Sequence, residues 1–413
     1  MKIGSYLFFL FGLLFVFVGK ISAQGSASNS KPEKEIEAKA AISDKDVFDL
    51  IRATKTYQKY FSNKPPKEFS KPQFAIAPAA GYTLQTGFAL LLAGNLSFFT
   101  DQSDLSKLSF VSTSIAFTEK AQVILPLYAS IWTKGNRFNI VSDNRFMKYP
   151  SQTWGVGPRA IDADASTIVF NYLKLHESIL FKIARNTYAG TGFYYDNFYN
   201  ISETNLPLDK PSKLSRYGKQ NKEVSSGPVL RFIYDSRPNQ VNAWKGNFAS
   251  LTYRANAKML GSQSNWNSIL VDLRKYIPFP GGSKNTLAFW NYYWLCTNNG
   301  RPPYLMLPST GWDDFFNIGR GYIQGRFKGK NMAYLEAEYR FRLTQNGLLG
   351  GVVFGNVQSF SRDLSSNYNL LIPGYGLGLR VKLNKHSATN LCVDYGFGIN
   401  GSRGFFVNLG EVF

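Results

Sequence analysis

From Pro72 to Phe413, segments of about ten residues alternate apolar and polar side chains, and turn-rich gaps separate them. A two-residue period belongs to a strand, whose successive side chains point to opposite faces. Ala333, Leu335, Ala337, Tyr339, Phe341 and Leu343 share one face, and Tyr334, Glu336, Glu338, Arg340 and Arg342 share the other. The same split sets Tyr375, Leu377, Leu379, Val381 and Leu383 against Gly376, Gly378, Arg380 and Lys382. It also sets Leu391, Val393, Tyr395 and Phe397 against Asn390, Cys392, Asp394 and Gly396. Repeated this often, the pattern leaves an all-β chain and excludes a helical one.

A soluble sandwich also alternates, so the charges decide. Here the polar faces carry charges in mid-strand, as the wall of a wet lumen does, and the strands are long enough to cross a membrane at a tilt. Strands are expected near 74–81, 86–99, 108–118, 121–134, 136–149, 165–184, 187–200, 225–236, 246–260 and 264–277. The rest are expected near 284–298, 331–343, 348–361, 371–383, 388–399 and 403–413. Sixteen is an even number, as single-chain bacterial barrels require. With the amino terminus in the periplasm, the long gaps at 150–164, 201–224 and 299–330 all fall outside. The fold expected is a 16-stranded antiparallel transmembrane β-barrel at 73–413 whose sixth outer loop is long.

Lys2, the apolar run from Tyr6 to Val18 and the small residues before Gln24 read as a secretory signal peptide over 1–23. The interval 24–72 reads as a periplasmic linker with one short amphipathic helix near 44–62. Ser43-Asp44-Lys45-Asp46 resembles its start, and Val47, Leu50, Ile51, Tyr57 and Phe61 fall at helical spacing. That helix could pack on the mouth of the barrel, enter the lumen or await a partner.

Two cysteines, Cys296 and Cys392, and two histidines, His176 and His386, stand far apart in sequence. No metal site, cofactor site or catalytic triad is expected of them. The formal charge of +20 would suggest nucleic acid in a cytoplasmic protein. In an exported one it points instead to outer-membrane lipid and lipopolysaccharide. Arg231, Arg254, Lys258, Arg274, Arg340, Arg342, Arg380 and Lys382 are expected in the lumen, with Asp235, Asp272, Glu336, Glu338 and Asp394 as the acids there.

Before the twelfth expected strand stands Gly319-Arg320-Gly321-Tyr322, and after it Phe354-Gly355-Asn356-Val357. Earlier comes Tyr234-Asp235-Ser236-Arg237-Pro238-Asn239-Gln240. With sixteen strands, this combination resembles the BamA/TamA outer-membrane assembly-factor superfamily, the bacterial surface antigens. In that family the sixth loop folds into the lumen and sets the arginine of a Val/Ile-Arg-Gly-Phe/Tyr motif against acids on the barrel wall. The resemblance makes Gly319, Arg320, Gly321 and Tyr322 a loop latch, with Glu336 and Glu338 as its partners and Glu338 favoured. Asn356 stands where the family carries an acid and is expected as a neutral partner. Phe405, Val407, Leu409 and Phe413 resemble the terminal signal read by barrel-assembly machinery. The family's periplasmic POTRA domains have no counterpart in 24–72, so the sequence reads as a POTRA-less member.

The resemblance implies handling of membrane proteins or lipid at the outer membrane, through a weak seam between the first and last strands. Pro78 in strand one suits an edge. Partner proteins of the periplasm or outer membrane would complete such a role. The alternative is a passive, loop-plugged pore favouring anions.

Overall fold

The computed structural model describes residues 44–52, 72–101, 106–159, 161–206, 213–218, 220–297, 300–361, 370–385 and 387–413. The signal-peptide reading, most of the linker, the helical spacing beyond Arg52 and His386 lie outside them.

Sixteen antiparallel strands close into one barrel in which each pairs with its sequence neighbours. The first eight are β1 (Gln73–Thr83), β2 (Gly87–Phe98), β3 (Ser109–Thr118), β4 (Val123–Trp132), β5 (Phe138–Thr153), β6 (Ser166–Ala184), β7 (Thr187–Thr204) and β8 (Lys222–Asp235). The rest are β9 (Gly246–Asn256), β10 (Trp266–Pro278), β11 (Thr286–Cys296), β12 (Asn331–Arg342), β13 (Leu349–Ser361), β14 (Ile372–Asn384), β15 (Thr389–Gly398) and β16 (Arg403–Leu409). Two short helices, α1 (Val47–Arg52) and α2 (Lys213–Gly218), complete the regular elements used below.

The outer wall keeps its apolar side chains exposed. Phe88 and Leu90 on β2, Leu230 on β8, Leu377 and Leu379 on β14, and Phe405 and Leu409 on β16 are all at least half exposed. In water such a surface would drive aggregation; in a bilayer it is the stable arrangement, because every strand but those at one junction has its backbone paired. The interior is packed. One buried cluster joins Trp290, Tyr292, Ile318, Tyr322, Phe327, Tyr334 and Phe413; another joins Tyr149, Phe170, Phe198, Trp266, Tyr304 and Leu307. Residues of the β11–β12 loop enter both, so this loop fills the lumen at the long-loop end.

The junction of β1 with β16 differs from all others. It pairs only at Thr83 and Phe406, whereas β1 pairs with β2 over eleven residues and β15 with β16 over seven.

Two expected placements change. β9 ends at Asn256, and the chain turns through Lys258–Leu260 to Gly261 in a left-handed conformation, so Lys258 is exposed on a loop and does not line the lumen. Phe413 does not share the outward face of Phe405, Val407 and Leu409. Gly410, at φ 89°, turns the tail inward, and Phe413 packs 5.2 Å from the ring of Trp290 and 6.2 Å from that of Tyr276. Leaving the bilayer face lets Glu411 reach Arg380 at 2.8 Å and Asn390 at 2.7 Å, pairings that lipid could not supply.

Candidate functional site: a loop pinned across the lumen

The β11–β12 loop folds back on itself before it meets the wall. Thr310 N–H donates to Phe327 O at 3.0 Å and Gly325 N–H to Thr310 O at 2.8 Å, which holds the intervening residues as one body. At its tip, Tyr322 N–H donates to Gly319 O at 3.0 Å. This turn needs φ values of 83° at Gly319 and 106° at Gly321, which glycine adopts without penalty. Gly321 also lies so close to β15 that a Cβ there would sit 2.6 Å from Phe397 O.

The turn delivers Arg320 to three carboxylates. Its guanidinium donates to Asp394 at 2.5 Å, to Glu338 at 2.5 Å and to Glu336. Only 1% of the arginine is exposed, and the ring of Phe354 lies 3.7 Å from the guanidinium carbon. Burial so complete makes each charge depend on the others, since none can be solvated by water. Arg340 joins through Glu338 at 2.5 Å, and Arg380 through Asp394 at 2.5 Å and Glu411 at 2.8 Å. Three guanidiniums thus face four carboxylates, and the phenol of Tyr334 donates to Glu336.

Glu336 and Glu338 are therefore both partners, without preference for Glu338, and Asp394 is a third that the motifs did not single out. Asn356 contacts the arginine differently from the expectation. Its amide donates to the backbone O of Arg320 at 3.0 Å. The reason is geometric: β12 and β15 supply the acids, while Asn356 on β13 faces the backbone of the turn. Tyr322 completes the attachment, donating to Pro373 O and accepting from Ile399 N–H at 2.9 Å.

The loop is also held at the opposite wall. Lys174 on β6 lies 3.1 Å from Asp314 and 2.6 Å from Asp143 on β5; Arg145 donates to Asp314 O at 2.7 Å. Asp313 and Asp314 are adjacent yet oppositely shifted. Burial pushes the Asp313 carboxyl up to about 6, against the hydrogen bonds it accepts from Ile318, Phe315 and Asn317. The charge of Lys174 holds Asp314 well below the usual carboxylate range, with Arg145 adding to it.

Most of the other lumen basic residues are engaged by acids. Arg254 donates to Asp196 at 2.5 Å, and Arg274 pairs with Asp272 at 2.6 Å. Arg231 donates to Ser178 at 2.8 Å. Arg342 and Lys382 sit near the N-terminal end of the barrel and hold Asp44 at 2.9 and 3.2 Å. Burial raises the pKa of Asp44, but the Arg342 hydrogen bond and the charges of Lys382 and Arg342 outweigh it and bring the group to about 2. Lys45 N–H donates to Asn346 O, and Asp46 and Asp49 accept from Lys385, so α1 packs on the mouth. Beside it the β8–β9 turn crosses to the β14–β15 turn, with Asn239 donating to Ser387 O at 3.1 Å and Asn242 to Ala388 O at 3.2 Å. The tail joins them through Glu411 N–H and Val241 O at 3.0 Å. The motif from Asp235 to Gln240 thus belongs to a closure of the mouth, where Arg237 and Asp235 pair at 2.9 Å.

No protein-family model matches the sequence. No curated protein matches it either. Solved structures do share the fold. BamA from Haemophilus ducreyi, in a form lacking POTRA domains 1–3, is 12% identical with a TM-score of 0.53, over 82% of this chain and 69% of that one. CdiB from Escherichia coli is 11% identical with a TM-score of 0.53, over 84% of this chain and 63% of that one. CdiB from Acinetobacter baumannii is 14% identical with a TM-score of 0.51, over 83% of this chain and 60% of that one. The class is thereby defined: a 16-stranded bacterial outer-membrane barrel. Within it, this chain has the fold of BamA and CdiB.

Proposed function

We propose that the barrel assists insertion or translocation of other chains, or handling of lipid, at the outer membrane, and that the β1–β16 junction is where it engages them. The observation that carries this reading is the single residue pair, Thr83 with Phe406, that joins those strands. Unpaired backbone groups in hydrocarbon cost several kcal/mol each, so a short junction is a place where an incoming strand gains by pairing. Strand addition of this kind draws its affinity from main-chain hydrogen bonds and tolerates many sequences. The exposed apolar faces of Phe74 and Ile76 on β1 and Phe405 and Leu409 on β16 leave both edges facing lipid. Loop and mouth contacts would keep the lumen closed while the edge opens.

A passive anion pore is the weaker reading, because the lumen arginines are largely occupied by acids or by Asp44. The test is a disulfide between Thr83→Cys and Phe406→Cys in a background where Cys296 and Cys392 are replaced by alanine. Oxidation is expected to depress growth and the levels of other outer-membrane proteins, and reduction to restore them. Unchanged growth and protein levels with the junction locked would defeat the proposal, as would a large, steady anion-selective current across a planar bilayer.

A further inference from the structure

Among the described residues, the bilayer-facing wall carries one carboxylate at its middle, Glu177. From Leu173 to Ile183 the outward residues of β6 are Leu173, Leu175, Glu177, Ile179, Phe181 and Ile183, so the glutamate stands near the centre of an apolar run long enough for a crossing. On β5 the outward residues about the same level are Ile140, Ser142, Asn144 and Phe146. Ser142 donates to one oxygen of Glu177 and Asn144 to the other, at 2.7 Å for the amide. Around this polar group, Leu175 and Ile179 are 40% and 45% exposed, as is Phe193 across on β7 at 44%.

Two hydrogen bonds orient the carboxylate, and among the described residues no basic side chain forms an ion pair with it. An ionisable group facing hydrocarbon is costly, and at mid-depth it marks a functional position. The outward-facing basic residues Lys148, Lys222, Lys275 and Arg403 lie towards strand ends or beyond the central belt. A two-fold pair of this chain through β5 and β6 would therefore set carboxylate against carboxylate. Charge complementarity excludes a second copy and requires a cation brought by something else.

We infer that the outer face of β5 and β6 is a docking surface for a different membrane-embedded protein. Its contacting segment presents a lysine or arginine at mid-bilayer depth to Glu177, with Ser142 and Asn144 holding the carboxylate in place. The surrounding Ile140, Leu175, Ile179 and Phe193 supply the apolar rim of the contact. The surface lies several strands away from the β1–β16 junction, so both can be occupied together.

A photo-crosslinking residue placed at Ile140 in native membranes tests this, with Leu379 on β14 as the control position. The expected result is a discrete protein adduct from Ile140 alone, whose attached peptide contains a basic residue within an apolar stretch. Glu177→Leu should reduce the adduct at least tenfold, and Glu177→Gln should reduce it less. Glu177→Lys combined with an acidic replacement of the partner's basic residue should restore it. Purified Glu177→Leu barrel should unfold in urea at the same or a higher midpoint than the native chain. An adduct unaffected by Glu177→Leu, one made only of lipid, or one made only with a second copy of this chain would overturn the inference. So would a lower midpoint for the purified variant, which would make the three polar residues an internal stabilising network.

Discussion

The β11–β12 loop is tied to the barrel at two ends that differ in the water around them. At Arg320 the arginine and its partner acids are each almost fully buried, and a guanidinium fork meets carboxylates on two strands. At Asp314 the acid side chain is 69% exposed to the lumen, and it meets a lysine that Asp143 already holds. Similar charges and similar distances therefore differ in strength. Where water is excluded, removing one partner strands the rest; where water enters, it replaces the lost partner.

Arg320→Ala should have the largest effect, about 3–5 kcal/mol, because three carboxylates would be left buried without their shared cation. Urea unfolding of the purified barrel and heat-modifiable gel migration measure it. Arg326→Ala should cost less, since its acidic partner Asp162 is 74% exposed, and equal effects would break the contrast. Phe413→Ala comes next at about 3 kcal/mol, from the cavity opened against Trp290 and Tyr276; an unchanged midpoint would show that the tail is not seated there. Asp314→Asn should cost no more than about 1 kcal/mol, yet raise proteolytic cleavage within 313–318 while the Arg320 end stays protected.

The smallest effect concerns Asp44. Its folded pKa of about 2 lies below the ordinary value of 3.8. Its contribution is therefore complete above pH 3.8 and is lost as the pH falls through about 2. A dye on Lys45→Cys should report an unchanged environment from pH 7 to 4 and release below that. Release already at pH 5 would place the attachment elsewhere.

The strands were legible because a barrel wall has only two environments, lipid and lumen, and each residue declares one of them. The arginine of the latch was legible because the glycines on either side of it are needed for the close approach to β15. Asp394 was legible only as one of five lumen acids, since only ring closure brings β15 to Arg320. Phe413 misled for a related reason: an apolar residue at strand spacing suits lipid and an aromatic lumen equally, and Gly410 decided between them. Lys258 misled because alternation continues for a few residues past the point where pairing stops. Glu177 drew no reading from the sequence, because its meaning depends on depth in the bilayer, which requires the register of β5 and β6.

The barrel is far from level at its rim. β6 has 19 residues and β7 has 18, against 11 in β1 and 7 in β16. A crossing needs about 9–11 residues, so β6 runs roughly eight further, on the order of 20 Å at ~3.3 Å per residue and a tilt near 45°. The excess stands as a parapet on one side and falls to almost nothing at the other. A soluble particle approaching from above meets the parapet first, whereas a chain travelling within the bilayer can reach the low side at β1 and β16 directly.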